Sequence, residues 1–304
     1  MFSFLPQVVR GVLSLILYTV NTVFWCIPLF TVAILKFFIP VAAFRRLCNR
    51  ILIHISFAWI RCNNLNQDLF HKLDIVVEGI EDLKPDDWYL VISNHQTWVD
   101  ILVLQRIFYR RIPFLKFFLK KELIWVPVLG LAWWALDFPF MKRYSGEFLK
   151  KNPHLKGKDI EITKKACEKF SELPVSVMNF LEGTRFTGQK HKSQQSPYNH
   201  LLRPKAGGIA FVLAAMGKHL NSIVNVTIAY PPGPNSFWDF LCGRVTRVRV
   251  HVEVLPISEQ LIGDYFEDEI FRDGFQEWVN ELWADKDRRM AEMHRALPDS
   301  QPPN

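Results

Sequence analysis

Acidic residues are missing from the first 67 of the 304 residues, and Asp68 is the first aspartate or glutamate in the chain. The same stretch carries six of the 37 lysine and arginine residues. The rest of the chain holds 31 basic and 30 acidic side chains, so most of the net charge of +7 lies at the N-terminus. A uniformly basic nucleic-acid binder is therefore excluded, and an anionic membrane surface is the better partner for the N-terminal segment.

The chain also lacks the residue patterns of several common sites. Its five cysteines occur singly, without a Cys-x-x-Cys pair, so we read them as reduced thiols and expect no disulfide framework or zinc site. The nine histidines show no metal-ligand spacing. No Gly-x-Ser-x-Gly elbow or phosphate-binding P-loop is present, so an acyl-enzyme on a serine is not indicated. A base without such a nucleophile would instead activate a substrate hydroxyl directly.

A long apolar run occupies the N-terminal segment. Gly11–Leu35 contains 25 residues without a charged side chain, and about 20 apolar residues cross a bilayer. A single membrane span is our first prediction, and a re-entrant hairpin bent near Pro28 is the alternative. Basic residues follow the run, which by the positive-inside rule places its C-terminal side in the cytoplasm. These residues are Lys36, Arg45, Arg46 and Arg50.

Three parts of the chain differ in composition. Residues 1–67 are predicted to be a membrane anchor and a basic interfacial segment. Within them, Ile51–Ile60 is too short to span a bilayer and is expected at the interface or against the domain. Residues 68–297 are predicted to form one folded domain, and the tail 298–304 is expected to fray.

The domain reads as short apolar strands alternating with helical segments. The predicted strands are Asp74–Glu78, Tyr89–Ser93, Ile112–Phe117, Phe138–Met141, Val175–Leu181, Ile223–Tyr230 and Thr246–Leu255. The predicted helices are Thr97–Tyr109, Ile160–Glu172, Gly208–Met216 and Phe266–His294. This alternation predicts an α/β fold with a mixed, mostly parallel sheet of about seven strands flanked by helices.

The first motif with chemical content is Ser93-Asn94-His95-Gln96-Thr97-Trp98-Val99-Asp100, at the end of a predicted strand. A histidine at the carboxyl end of a strand occupies the edge where α/β sites form, and imidazole suits a general base. Asp100, in the first turn of the next helix, could hold one ring nitrogen of His95. The alternative is a capping box, in which Thr97 and Asp100 only satisfy helix amides.

The second motif, Glu182-Gly183-Thr184-Arg185, also follows an apolar strand. A carboxylate, a glycine, a hydroxyl and a guanidinium can form a compact anion-binding corner. An ordinary turn with an internal Glu–Arg pair is the alternative. Two weaker cation pairs, Lys142-Arg143 and Arg203 with Lys205, lie next to a strand and before a helix, where they are either solvated loops or anion ligands.

Together, His-x-x-x-x-Asp and a later Glu-Gly-Thr-Arg resemble the motifs of the glycerolipid acyltransferases, the 1-acylglycerol-3-phosphate O-acyltransferases and their relatives. The likeness covers roughly residues 75–260. It implies that His95 is the general base and that Asp100 orients it. It further implies that a short group of residues binds the glycerol-phosphate head. These are Glu182, Gly183, Thr184, Arg185 and, through a weaker match, Arg143. Lys205 is a further candidate for this role from its position before a predicted helix, not from the resemblance.

The resemblance also implies the partners. The donor would be acyl-CoA or acyl-carrier protein as co-substrate, with no other cofactor and no metal. The acceptor would be 1-acylglycerol-3-phosphate, giving phosphatidic acid, or another lysophospholipid in phospholipid remodelling. The enzyme would sit on a phospholipid membrane, the inner membrane if bacterial, with its catalytic domain facing the cytoplasm.

Overall fold

The computed structural model describes residues 4–141, 173–217, 219–233, 235–265 and 267–296. Its helices are α1 (Gln7–Phe38), α2 (Ala42–Phe70), α3 (Val99–Ile107), α4 (Leu129–Ala135), α5 (Gly188–Ser193), α6 (Ala206–Met216), α7 (Phe237–Leu241) and α8 (Glu269–Arg295). Short 3₁₀ turns lie at Lys121–Trp125 and Glu259–Leu261. The candidate ligand Arg143, the predicted helix Ile160–Glu172 and the tail 298–304 lie outside the described residues.

The strands are β1 (Asp74–Glu78), β2 (Tyr89–Ser93), β3 (Leu115–Phe117), β4 (Leu119–Lys120), β5 (Phe140–Met141), β6 (Ser176–Phe180), β7 (Ser222–Ala229) and β8 (Arg247–Pro256). Six of them form one sheet in the order β1-β8-β7-β2-β6-β3. Only the β7–β8 pair is antiparallel. Apolar clusters cover both faces, with α3 on one side and α6 and α8 on the other. The predicted mixed, mostly parallel α/β fold is confirmed.

Two predicted strands are much shorter than expected, and each contains a proline, Pro113 in the first and Pro139 in the second. Ile112–Phe117 contributes only Leu115–Phe117 to the sheet, because Pro113 has no N–H to donate to a neighbouring strand. Phe138–Met141 contributes only Phe140–Met141, which pairs with Leu119–Lys120 in a separate two-stranded sheet. Among the described residues, the main sheet has six strands.

The N-terminal segment is a hairpin of two long helices. Ser14 Oγ donates to Asn66 Oδ1 at 3.1 Å, and Asn21 Nδ2 donates to Asn63 Oδ1 at 2.8 Å, so α1 and α2 run antiparallel. The turn lies at residues 39–41, whereas Pro28 lies inside α1. The alternative of a hairpin bent near Pro28 is therefore wrong, since α1 continues through that proline. Ile51–Ile60 is the middle of α2, packed against α1.

Among the described residues, α1 is the one helix long and apolar enough to cross a bilayer, with a mean hydropathy of 1.8. Both of its ends contact the α/β domain. The Arg10 guanidinium donates to the Cys242 carbonyl at 2.5 Å, and Lys36 Nζ lies 2.6 Å from Asp137 Oδ2. These contacts are about 40 Å apart along the helix axis at the usual helical rise. In this structure α1 therefore lies along the domain.

Strand register brings the two sequence motifs together. Ser93, the last residue of β2, pairs with Phe180, the last residue of β6. His95 and Glu182 therefore each follow their strand by two residues at the same edge of the sheet. Carboxyl ends of neighbouring parallel strands are where α/β proteins place their ligands.

Candidate active site

His95 and Asp100 form a hydrogen-bonded pair. His95 Nδ1 lies 2.8 Å from Asp100 Oδ2, and Asp100 is fully buried. The same oxygen accepts from the backbone N–H groups of Gln96 at 2.7 Å and Thr97 at 3.0 Å. Capping and histidine orientation are thus both performed by one carboxylate. A histidine held at Nδ1 keeps Nε2 as the nitrogen that can take a proton from a substrate.

Two further contacts fix this pair. The His95 ring stacks on Phe180 with centroids 3.9 Å apart and planes 12° from parallel. The Tyr230 hydroxyl donates to Asp100 Oδ1 at 2.7 Å, and burial raises the pKa of Tyr230 so that it stays a donor. Asn94 ties the same loop to β7, since it bonds both the N–H and the C=O of Ile228 at 2.9 Å.

Glu182 lies behind His95. It is 1% exposed, and its Oε1 accepts from the His95 backbone N–H at 3.3 Å. Burial raises the pKa of Glu182 to about 8, opposed by backbone N–H donors from His95 and Leu202. Its carboxylate is absent from the lining of the cavity described below. The predicted contact of Glu182 with a headgroup stays a prediction, while the structure assigns it contacts with the loop that carries the histidine.

The rest of the second motif faces the opposite way. Gly183, Thr184 and Arg185 line the same cavity as His95. Gly183 has a φ of 67°, a left-handed conformation that glycine adopts without strain. The Arg185 guanidinium lies over the Trp98 ring at 4.8 Å, and Lys190 Nζ donates to Thr184 Oγ1 at 2.7 Å. Arg185 is therefore a cation on the cavity wall that carries the histidine, and Lys190 is a second cation bonded to the same motif.

The cavity has a volume of about 520 Å³. His95, Trp98 and Arg185 lie on its wall, together with a large apolar set from the hairpin and the domain. Side chains from that set include Cys26, Leu29, Ile55, Phe117, Leu129, Trp133 and Phe138. An apolar cavity with a few polar groups at one place suits a ligand with a long hydrocarbon part and a small charged head.

Comparison with known sequences decides the family. The sequence model of the family described as Acyltransferase matches residues 74–230. The chain belongs to this acyltransferase family. The resemblance drawn from the two motifs is therefore confirmed, and so is the expectation of an enzyme.

Named relatives of this acyltransferase come from several eukaryotes. Lysocardiolipin acyltransferase 1 from Danio rerio is 24% identical over an alignment of 307 positions. The alignment covers 95% of this chain and 72% of that protein. The 1-acyl-sn-glycerol-3-phosphate acyltransferase epsilon of Mus musculus is 22% identical and covers 67% of this chain. This chain spans only 58% of that mouse protein.

One solved structure is also similar to this acyltransferase. It is the 1-acyl-sn-glycerophosphate (LPA) acyltransferase PlsC from Thermotoga maritima, with 18% sequence identity and a TM-score of 0.46. The alignment covers 95% of this chain and 98% of the other.

Of the two remaining candidate residues of the acyltransferase, the structure describes Lys205, which is separate from the cavity. Lys205 is exposed at the start of α6, its backbone N–H bonds the Leu181 carbonyl at 2.8 Å, and it is not on the cavity wall. Arg143 lies outside the described residues. The predicted Glu–Arg pair of the turn is not formed, because Glu182 points inward and Arg185 outward.

Sequence reasoning missed three supporting residues. Tyr230 is predicted only as the last residue of the strand Ile223–Tyr230, and Lys190, five residues after the second motif, is not predicted as a site residue. Lys286 gave a weaker signal, as a basic residue within a long amphipathic helix. It is 2% exposed in α8, and its Nζ donates to the Val226 carbonyl at 2.6 Å and to Thr227 Oγ1 at 3.2 Å. It supports β7 two residues before Ile228, the partner of Asn94.

Lys286 predicts a specific pH dependence of stability. Burial lowers its pKa to about 7, opposed by Glu253 and Glu182, which face it from β8 and the second motif. Between pH 7 and 10.5 the folded protein therefore binds fewer protons than the unfolded chain, and this residue's contribution to stability rises with pH. We expect Lys286→Met to lose that rise. Chemical unfolding at pH 6 and pH 9 measures it, and an equal pH effect in both proteins would contradict it.

Proposed function

We propose that this acyltransferase moves a fatty acyl chain from acyl-CoA or acyl-carrier protein to the free hydroxyl of 1-acylglycerol-3-phosphate, giving phosphatidic acid. The observation that carries this proposal is the hydrogen-bonded His95–Asp100 pair on the wall of an apolar cavity, beside Arg185. Relatives named for acyl transfer to 1-acyl-sn-glycerol-3-phosphate support the choice of substrate.

The chemistry follows from the orientation of the histidine. Asp100 holds Nδ1, so Nε2 accepts the proton of the acceptor hydroxyl as its oxygen attacks the thioester carbonyl. The new C–O bond forms, the C–S bond breaks, and the imidazolium returns its proton to the departing thiolate. Asp100 stabilises the charged ring while it holds the proton, and the Tyr230 hydroxyl donates to the other carboxylate oxygen and so holds Asp100 in place.

Arg185 and Lys190 are proposed to bind the acceptor phosphate. A guanidinium forms paired hydrogen bonds with phosphate oxygens, and stacking on Trp98 restricts its orientation. Lys190 lies 2.7 Å from Thr184 Oγ1, within the same motif. The apolar remainder of the cavity would hold the acyl chains.

Arg185→Ala tests this assignment. We expect KM for 1-acylglycerol-3-phosphate to rise roughly tenfold with little change in kcat, since a charge-assisted hydrogen bond is worth about 1.5–3 kcal/mol. Initial rates over a range of acceptor concentrations measure this. Arg288→Ala, which removes an exposed arginine from α8, should leave KM unchanged. A purely catalytic loss, with KM unaltered, would remove Arg185 from phosphate binding.

A second acceptor class has specific support. Lysocardiolipin acyltransferase 1 aligns with 95% of this chain, whereas the mouse 1-acyl-sn-glycerol-3-phosphate acyltransferase epsilon aligns with 67%. The alternative is therefore transfer to another lysophospholipid in remodelling. An acceptor panel decides: purified enzyme with acyl-CoA is offered 1-acylglycerol-3-phosphate, lysophosphatidylglycerol and lysocardiolipin. Faster turnover of 1-acylglycerol-3-phosphate, the phosphomonoester, supports the first proposal. Equal or faster turnover of lysophosphatidylglycerol or lysocardiolipin, the phosphodiesters, supports the second.

The location is proposed from the anchor. The apolar helix α1 and the basic residues that follow it favour attachment to an anionic membrane, the inner membrane in a bacterium. The catalytic domain is proposed to face the cytoplasm, because both ends of α1 contact the domain and the cytoplasmic leaflet carries the anionic lipids that its basic residues favour. Protease protection of the domain in sealed inverted vesicles would contradict this orientation.

A further inference from the structure

Residues 119–136, between β4 and the end of α4, have two apolar faces. The inner face lines the cavity through side chains that include Leu123, Leu129 and Trp133. The outer face holds large apolar side chains in contact with solvent. Trp125 is 84% exposed, Leu131 57% and Trp134 55%. Exposed apolar patches of this kind mark contact with another apolar phase.

The backbone of this segment is fixed by close packing. Gly130 lies against the 3₁₀ turn, and a Cβ at that position would stand 2.0 Å from the Ile124 carbonyl oxygen. Its N–H also bonds the Val126 carbonyl at 2.9 Å. The 3₁₀ turn and α4 therefore hold Trp125 and the α4 side chains in a defined arrangement.

The outer face adjoins the helical hairpin. Ala132 and Ala135 of α4 pack against Cys26 and Leu29 of α1 in one apolar cluster. The same half of α1 exposes further apolar side chains to solvent: Ile27 is 65% exposed, Ile34 56% and Phe38 73%. The exposed apolar surfaces of α1 and of segment 119–136 are adjacent, because α1 and α4 are in direct contact. A bilayer that contacts one surface therefore lies next to the other.

The charges around this surface favour lipid over water or a neutral protein. Lys120 and Lys121 are exposed shortly before Trp125, next to the exposed Glu122, and Lys36 at the junction with α1 is paired with Asp137. These five side chains leave a net charge of +1 beside the surface. Tryptophan prefers the boundary between headgroups and acyl chains, and lysine beside it attracts anionic headgroups.

We propose that Trp125, Leu131 and Trp134 insert into an anionic bilayer. Segment 119–136 then separates the bilayer from the cavity, and acyl chains move along it between the two. The insertion stands on the exposed surface alone. The passage of acyl chains rests on the proposed function.

The experiment uses matched charge insertions. Leu131→Asp places a carboxylate within the surface and keeps both tryptophans. Ile270→Asp makes the same change at a residue that is 88% exposed on α8, away from the surface. Each protein is mixed with phosphatidylglycerol vesicles containing brominated phosphatidylcholine. Bromine quenches the fluorescence of tryptophans that enter the bilayer. The share due to Trp125 and Trp134 is the quenching of each protein minus that of the same protein carrying Trp125→Phe and Trp134→Phe.

Transfer rates supply the second readout. Each protein is assayed with long-chain substrates in vesicles and with hexanoyl-CoA plus 1-hexanoylglycerol-3-phosphate below their micelle concentrations. We expect Leu131→Asp to abolish the quenching and to lower the vesicle rate at least tenfold, with the short-chain rate within twofold of wild type. Ile270→Asp should match the wild type in every measurement.

Three results would overturn the proposal. Wild-type protein without the tryptophan quenching shows that the surface does not insert. Equal losses of both rates in Leu131→Asp show a structural role for the segment. A wild-type dimer that Leu131→Asp dissociates, without a change in quenching, shows that a second copy covers the surface. Quenching without transfer on any substrate would defeat the proposed function and leave the insertion supported.

Discussion

Asp100→Asn is expected to lower kcat by about 10²–10⁴-fold, the range of general-base catalysis, whose upper end is the roughly 10⁴-fold loss when the equivalent aspartate becomes asparagine in a serine-protease triad. The asparagine amide would donate to His95 Nδ1 and move the ring proton to Nε2. The histidine could then no longer accept the hydroxyl proton. Steady-state rates at saturating donor and acceptor measure the loss.

Asp287→Asn is the matched control for this change. Asp287 is also buried, at 8% exposure, and its carboxylate accepts the backbone N–H groups of Asn199 at 2.9 Å and His200 at 2.8 Å. Both substitutions weaken two backbone caps, but only Asp100 holds the His95 ring. If the two variants lose the same activity and the same thermal stability, Asp100 is a cap and nothing more.

His95→Ala is expected to lower kcat by about 10²–10⁴-fold, the usual contribution of general acid–base catalysis. The cavity wall and the two cations proposed to bind the acceptor phosphate remain, so KM for the acceptor should change little. The substitution leaves a gap beside Phe180, where the ring stacks at 3.9 Å. Added imidazole should therefore restore part of the lost rate.

His219→Ala serves as the control for His95→Ala. His219 is exposed and its ring centroid lies 5.8 Å from that of Trp88, with the ring planes tilted by 34°, next to the opposite end of β2 from His95. It should retain full activity and should not respond to imidazole. Full activity of His95→Ala itself would refute a general base at this position.

The centre of the site could be predicted because its signals are local. His95 and Asp100 are five residues apart across a helix start, so strand and helix periodicity alone bring them within reach of each other. Glu182 could be placed beside them because β2 and β6 are parallel and end in register. The direction of its carboxylate could not, since that depends on the neighbouring backbone donors rather than on the motif.

The supports of the site could not be predicted, because they come from distant parts of the chain. Tyr230 contacts Asp100 across 130 residues of sequence, and Lys286 contacts Val226 across 60. Neither pairing leaves a periodic or spacing signal. A buried lysine is also hidden in sequence, because lysine within an amphipathic helix usually faces water.

The hairpin shows a different limit. Proline removes a helical hydrogen bond, which made Pro28 the expected bend. The helix continues through it, with the adjacent residues Cys26 and Leu29 packed against α2 and α4. Tertiary packing therefore outweighs the local preference, and the chain reverses at residues 39–41, where Pro40 lies between the helices.

The central claim is that the His95–Asp100 pair activates an acceptor hydroxyl directly against a thioester, without an acyl-enzyme. The most direct test counts products: purified enzyme is incubated with labelled acyl-CoA, with and without 1-acylglycerol-3-phosphate. We expect free thiol and labelled phosphatidic acid in equal amounts when acceptor is present. Without acceptor, we expect neither product and no labelled protein. A stoichiometric burst of thiol without acceptor, with label retained on the protein, would contradict it.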